Sequence, residues 1–290
     1  MIQAINITKK FDDLTALDSV NISVGTGSIF GLVGSNGAGK STLMRVMSGV
    51  YAADGGQITI DGEDIAHRPD VRKHLVYVPD DLYFLPGANM NSMAQLCRNT
   101  RAQFDDKLYE SLSEKFEASR TKPIRSMSKG MKRQAALILA LASKPDILLI
   151  DETFDGLDVI KRHGMREVLC EAVADRGLTV IMATHSMREV DDLCDSLAML
   201  HKGRITLQSE LDEAKSALVK VQIAFNGDFG QDDVSFDGAK IVSFEKDGAV
   251  ATVIYENERQ QVEYALAAKN PILISVLPLS LEEVFIYRCQ

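Results

Sequence analysis

The chain has 290 residues, room for one large domain or two modest ones. Apolar residues make up 46% and charged residues 25%, the balance of a globular chain rather than a disordered or membrane-embedded one. The formal net charge of −9 disfavours general binding to nucleic acid or to anionic membranes, although it leaves room for a local basic patch.

The N-terminus, Met1-Ile2-Gln3-Ala4, runs straight into a strand-like pattern and lacks the apolar core of a signal peptide. Ile5 and Ile7, then Val20, Ile22 and Val24, alternate as half-buried antiparallel strands do. Ile29 to Val33 is a short apolar strand. It leads into Gly34-Ser35-Asn36-Gly37-Ala38-Gly39-Lys40-Ser41-Thr42, and a helical pattern follows at Leu43, Met44, Val46 and Met47. The nine residues read GxxxxGK[ST], a phosphate-binding loop in the strand–loop–helix setting that it requires. Its glycines let main-chain N–H groups turn inward around a phosphate chain, and the helix offers its positive end to the same anion. Lys40 can reach the β- and γ-phosphates, and the Ser41 hydroxyl suits a Mg²⁺ ligand. A bound nucleoside triphosphate is expected.

Residues Asn89 to Lys122 are polar and mostly helical in pattern, and read as a helical insertion between sheet strands. Met127-Ser128-Lys129-Gly130-Met131 precedes a helix to Ala142, with Ser128 as a natural N-cap. Locally this reads equally as an ordinary capped helix or as a second phosphate-facing helix end. Ile147 to Ile150 is a fully buried type of strand, and it ends in Asp151-Glu152. Both carboxylates then sit at the sheet edge where the phosphate loop opens. Asp151 can reach Mg²⁺, and Glu152 can orient or deprotonate an attacking water. Helical patterns at Lys161 to Asp175 and Met187 to Asp192 alternate with apolar runs at Thr179 to Ala183 and Leu197 to Leu200. The alternation implies an α/β fold with a mainly parallel sheet covered by helices.

The composition shifts after Ala214. Val219 to Phe225 alternates like a strand, and Ile241 to Lys246 and Ala249 to Tyr255 flank Asp247-Gly248, a hairpin signal. A helix over Arg259 to Ala268, a strand over Ile272 to Val276 and a last helix opened by Ser280-Leu281-Glu282-Glu283 complete a small α+β unit. No apolar run nears the ~20 residues of a membrane helix, so the chain is expected not to cross a membrane itself. Cys97, Cys170, Cys194 and Cys289 contain no CxxC pair. They read as reduced, mostly packed thiols of a cytoplasmic protein rather than a zinc site or disulfide framework.

Taken in order, these motifs resemble the ATP-binding-cassette (ABC) ATPases over about residues 2–210. Gly34 to Thr42 matches the Walker A loop, and Asp151 and Glu152 match the Walker B pair. Met127 to Met131 matches the signature usually written LSGGQ, Gly156-Leu157-Asp158 the D-loop, and His185 the switch histidine. Phe11 sits where an aromatic ring stacks on adenine. The resemblance implies a P-loop ABC ATPase domain at 1–213, with a mixed central sheet, an antiparallel β-subdomain and a helical insertion around 89–143. A small C-terminal α+β domain would occupy 214–290.

It implies ATP and Mg²⁺ as cofactors, Lys40, Glu152 and His185 as catalytic groups, and Ser41, Asp151 and Asp80 around the metal. It also implies pairing with a second ATPase subunit, head to tail around two ATP molecules. Ser128 and Gly130 would then touch the γ-phosphate bound by the partner, with Asp158 nearby. The family works on a separate integral membrane subunit, so a peripheral place on the inner face of the cell membrane is implied.

Two positions depart from the pattern. The signature reads MSKGM, with Lys129 in place of a glycine. In Val76-Tyr77-Val78-Pro79-Asp80-Asp81, Asp80 stands where the family usually carries the Q-loop glutamine. The signature and the C-terminal tail are similar to those of exporter-type subunits, so export is the expected direction. Two other readings stay open: a non-transport ABC ATPase acting on nucleic acid or ribosomes, and an ATP-gated regulatory module. The acidic balance disfavours the first, and Glu152 with His185 the second.

Overall fold

The computed structural model describes residues 1–68 and 70–289, and the packing divides the chain into two units, Met1–Gln208 and Ser209–Gln290. In the first, alternating apolar residues build an antiparallel pair, β1 (Ile2–Phe11) and β2 (Leu14–Val24). Ile2, Ala4, Ile7, Val20, Ile22 and Val24 all turn into the core. Then follow β3 (Ile29–Val33), α1 (Lys40–Met47), β4 (Gly55–Ile60), β5 (Glu63–Asp64) and β6 (Leu75–Val78). The helical segment holds α2 (Met90–Thr100) and α3 (Asp106–Lys115). Asn89 caps α2 with a reciprocal box to Ser92, and Asp105 caps α3. The unit closes with α4 (Lys129–Ala142), β7 (Ile147–Asp151), α5 (Val159–Arg176), β8 (Thr179–Thr184), α6 (Met187–Leu193), β9 (Ser196–His201) and β10 (Arg204–Glu210).

Among the described residues, the first unit has an antiparallel sheet, β2-β1-β4-β5, and a six-stranded one, β10-β9-β3-β8-β7-β6. In the second sheet β9, β3, β8, β7 and β6 run parallel. β10 joins β9 by the turn Lys202-Gly203, where φ is 46° and 77°, the geometry of a two-residue antiparallel hairpin. The central sheet is therefore mixed. Every residue of β3, β7 and β8 is buried, which is why they read as continuous apolar runs. Leu43, Met44 and Met47 of α1 share one core with Phe30, Leu32, Leu149 and Ile181 of the central sheet and Ile7, Leu17 and Val20 of the antiparallel one. Each such side chain, fully buried, stabilises the fold by about 1.5–3 kcal/mol. On the sheet's other face α6 packs at Gly31, where a Cβ would come within 2.8 Å of Val190.

The second unit contains α7 (Leu211–Ser216), β11 (Val219–Ala224), α8 (Gln231–Val234), β12 (Ile241–Asp247), β13 (Val250–Tyr255), α9 (Arg259–Ala267), β14 (Leu273–Leu277) and α10 (Leu281–Cys289). From β11 onward the order is β-α-β-β-α-β, in a sheet β12-β13-β11-β14 whose neighbours are antiparallel. This is the split βαβ arrangement. The hairpin turn is Gly248-Ala249, one residue later than the Asp247-Gly248 expected, because Asp247 still pairs with Val250. Gly248 supplies the positive φ of 59° that a glycine-first turn needs. Ser280 and Glu283 exchange hydrogen bonds at the start of α10, and Glu283 also pairs with Lys220 of β11.

No helix among the described residues is long and apolar enough to cross a membrane. Cys97, Cys170 and Cys194 are free thiols; Cys170 is exposed rather than packed, because it lies on the outer face of α5. The Cys289 side chain lies outside the described residues.

Candidate active site

Four neighbouring parallel strands deliver the chemistry to one edge. In the order β3-β8-β7-β6, Val33 pairs with Thr184, Ala183 with Asp151, and Ile150 with Val78. Their C-terminal ends therefore lie side by side, the edge at which open parallel sheets take ligands. From β3 comes the loop 34–42, from β8 His185, from β7 Asp151 and Glu152, and from β6 Asp80.

The loop is shaped by local sterics. Gly39 has a φ of 111° at the N-cap of α1, and a Cβ there would lie 2.7 Å from the Ala16 carbonyl oxygen, so only glycine fits. Ala38 is buried and anchors the turn through a main-chain bond to Ser35, while Ser35, Asn36 and Gly37 are exposed. α1 starts without a side-chain cap, which leaves the first-turn N–H groups at Lys40, Ser41 and Thr42 directed at the cleft. Lys40 lies almost wholly inside. Its Nζ donates to the carbonyls of Gly34, at 2.8 Å, and Ser35, at 3.2 Å, and sits 3.3 Å from Glu152 Oε1.

Asp151 is fully buried and accepts from Ser41 Oγ and from the Tyr77 hydroxyl, each at 3.1 Å. Burial pushes its carboxyl above the ordinary range, and these two hydrogen bonds pull it part of the way back. Burial, then the neighbouring Asp151 charge, push the Tyr77 phenol up. Glu152 takes a left-handed φ of 50°, a conformation costing a side-chain-bearing residue roughly 1–2 kcal/mol. Its N–H holds the Ala183 carbonyl at 2.9 Å, which fixes this turn. The turn carries the carboxylate between Lys40 and His185, whose Nδ1 lies 2.6 Å from Glu152 Oε2 and 3.9 Å from Asp155 Oδ2. Below His185, Thr184 donates to buried Glu189 and accepts from the Ser186 N–H, bonds that set the turn bearing the imidazole.

Lys40, Ser41, Glu152 and His185 line one cleft of about 770 Å³, of ordinary size for a ligand site, with Asp151 buried behind Ser41. Phe11 stands at its edge, 39% exposed, with its ring edge-on to Tyr51 at 5.5 Å. Asp80 also lines the cleft, but one carboxylate oxygen is engaged by Arg133, which competes with any metal contact. Ser128, Gly130 and Asp158 are not part of this cleft's wall. Ser128 caps α4, Asp158 caps α5, and Gly130 packs so closely that a Cβ would lie 2.3 Å from the Gly156 carbonyl oxygen.

Tyr77, Arg133 and Asp155 complete the site without having been singled out in the sequence. The available signal was a polar tip inside the apolar run of β6; Arg133 stands among Lys129, Lys132 and Gln134 in the polar first turns of α4, which gives no signal of its own.

The profile of the ABC transporter family matches residues 17–155. The chain is 31% identical over 290 residues to the Nod factor export ATP-binding protein I of Paraburkholderia xenovorans (strain LB400), covering 97% of this chain and 94% of that protein. The chain belongs to the ABC transporter ATP-binding proteins. It is likewise 29% identical over 288 residues to the ABC transporter ATP-binding protein YtrB of Bacillus subtilis (strain 168), covering 99% and 98% of the two chains. A solved ATP-binding subunit of an ABC transporter superposes with a TM-score of 0.68 at 26% identity, over 74% of this chain and 92% of that one. This ABC protein is thus an ATP-binding, ATP-hydrolysing subunit, of a kind that works with a transmembrane subunit. Its fold is the P-loop ABC ATPase fold, with the mixed sheet, antiparallel sheet and helical segment described above.

Proposed function

We propose that this ABC ATPase drives an exporter, pairing head to tail with a second ATPase subunit and acting on a separate membrane subunit at the inner face of the cell membrane. The observation that carries the reading is the convergence of Lys40, Ser41, Asp151, Glu152 and His185 at one sheet edge. Lys40 and the loop amides bind the phosphates, and Phe11 offers its exposed ring to adenine. Glu152 takes a proton from the water that attacks the γ-phosphorus, and ADP departs as the P–O bond breaks. His185 holds the Glu152 carboxylate and the γ-phosphate in register.

Ser41 Oγ and Asp151 Oδ1 are two hard oxygen donors 3.1 Å apart, a set that fits Mg²⁺. When bound there the ion would neutralise charge on the β- and γ-phosphate oxygens.

Pairing is supported by Val159 and Ile160, which are 80% and 85% exposed directly after Asp158. Ser128 and Gly130 would then face the partner's nucleotide. A membrane subunit is supported by a groove of about 240 Å³ walled by β6 and the loop after it, α2 and α4, where Tyr83 is 79% exposed. Export, rather than import, is supported by the Nod factor export relative.

A pull-down from native membranes with tagged protein, with and without ATP, tests the reading. Recovery of an integral membrane protein is expected. Recovery of ribosomes, nucleic acid or soluble proteins alone would overturn it.

A further inference from the structure

The acidic groups around the cleft fall into two donor sets of different chemistry. Ser41 and Asp151 offer oxygen alone, beside the phosphate loop. Glu152, Asp155 and His185 offer two carboxylate oxygens and an imidazole nitrogen, and one donor atom from each lies within 4.8 Å of the others. His185 Nδ1 is 2.6 Å from Glu152 Oε2 and 3.9 Å from Asp155 Oδ2. Among the described residues no other group of His, Cys, Asp and Glu side chains closes so tightly.

These two spacings bracket what a small tetrahedral ion needs. Ligands at about 2.0–2.2 Å from Zn²⁺ stand roughly 3.3–3.6 Å from one another. The imidazole decides the class of ion, because nitrogen donors suit zinc, copper, nickel and iron, whereas Mg²⁺ prefers oxygen alone. The ligands are also held from behind. The Glu152 N–H donates to the Ala183 carbonyl at 2.9 Å, and Lys40 Nζ stands 3.3 Å from Oε1, which leaves Oε2 for an ion. Thr184 accepts from the Ser186 N–H at 3.0 Å and shapes the turn beneath His185. The Arg133 guanidinium donates to the main-chain carbonyl of Asp155 and leaves its carboxylate free of that contact. Supports of this kind orient metal ligands and raise affinity. The Asp155 and His185 side chains are partly exposed, which gives an ion its entry path.

We propose that Glu152, Asp155 and His185 form a second cation site, for a borderline transition-metal dication such as Zn²⁺, and that its occupation arrests hydrolysis while ATP stays bound. The arrest rests on the catalytic roles proposed for Glu152 and His185; the site itself does not. The ion replaces the proton between His185 Nδ1 and Glu152 Oε2, and that proton leaves to solvent. With Oε1 held by Lys40, Glu152 then has no oxygen free to take a proton from water. Lys40, Ser41 and the loop amides keep their hold on the phosphates.

Calorimetric titration of the nucleotide-free full chain with Zn²⁺, in excess Mg²⁺, tests the site. Wild type should bind one equivalent. Asp155→Asn and His185→Ala should each weaken binding by at least about tenfold, since even a ligand's support is worth that much. Asp151→Asn, which alters the Mg²⁺ set, should still bind one equivalent. Phosphate release at excess Mg²⁺ should fall as free Zn²⁺ rises, with KM for ATP within about twofold. The half-inhibiting Zn²⁺ concentration should rise by at least about tenfold in Asp155→Asn, measured against that variant's own zinc-free rate. Position 155 is partly exposed, so this substitution spares the core.

Absence of zinc binding, equal affinity in wild type and Asp155→Asn, or loss of binding in Asp151→Asn would overturn the site. Undiminished turnover at full zinc occupancy would overturn the arrest. Turnover that survives Glu152→Gln would instead remove the catalytic reading, and the calorimetric comparison would still decide the site.

Discussion

Glu152 divides its carboxylate between two side chains: Oε2 lies 2.6 Å from His185 Nδ1, and Oε1 lies 3.3 Å from Lys40 Nζ. The left-handed turn at Glu152 makes this bridge possible, and the bridge aims the carboxylate at the mouth of the phosphate loop. Replacing His185 by alanine removes one arm. Turnover should fall by about 10- to 100-fold, with KM for ATP changed by no more than about twofold. Steady-state phosphate release over a range of ATP concentrations measures both.

Lys40 is tied to the loop it serves, through the Gly34 and Ser35 carbonyls. Lys40→Ala removes the cation proposed above to meet the phosphates. It should weaken ATP binding by about 100-fold, the worth of a strong charge-assisted contact. Equilibrium titration with a fluorescent ATP analogue reads this directly.

Tyr77 donates to Asp151 from the neighbouring strand. Tyr77→Phe keeps the ring and deletes one hydrogen bond to a carboxylate, at a cost of roughly 1.5–3 kcal/mol. For a unit of this size that corresponds to a fall in Tm of about 3–12 °C. The Mg²⁺ concentration needed for half-maximal turnover should also rise, because Asp151 is held less firmly.

Asp151 should trade stability for function. Its folded pKa is raised above the unfolded value of 3.8 by burial. Between those two values the folded chain binds more protons than the unfolded one, so stability falls as pH rises through the window. The deficit is complete above the folded pKa. Asp151→Asn should therefore stabilise the nucleotide-free protein at neutral pH, by about 0.5–2 kcal/mol, while turnover is lost. The gain should vanish as pH drops below the unfolded pKa. Thermal melts across pH check the sign.

Much of this was legible because local chemistry and global position agree. The phosphate loop needs only its own glycines and the strand and helix beside it. Ile147 to Asp151 and Thr179 to Thr184 are buried on both faces, so they read as apolar runs. β10 was not legible: its residues alternate between exposed and half-buried, and none is fully covered. The Asp80–Arg133–Asp155 junction was hidden for another reason. Its members come from three distant segments, and only the strand order β3-β8-β7-β6 and the packing of α4 bring them together. Sequence order carries no trace of that adjacency. Tyr77 carries no sequence signal because its ring suits an apolar strand, while its hydroxyl acts on the next strand over.

In the proposed mechanism Glu152 activates the water that cleaves ATP between paired subunits. Its most direct test is Glu152→Gln, followed by phosphate release and by light scattering after size-exclusion chromatography, with and without saturating ATP. Turnover should fall by at least about 100-fold, and the mass should double when ATP is added. Turnover within about twofold of wild type, or a variant that stays monomeric at saturating ATP, would contradict it.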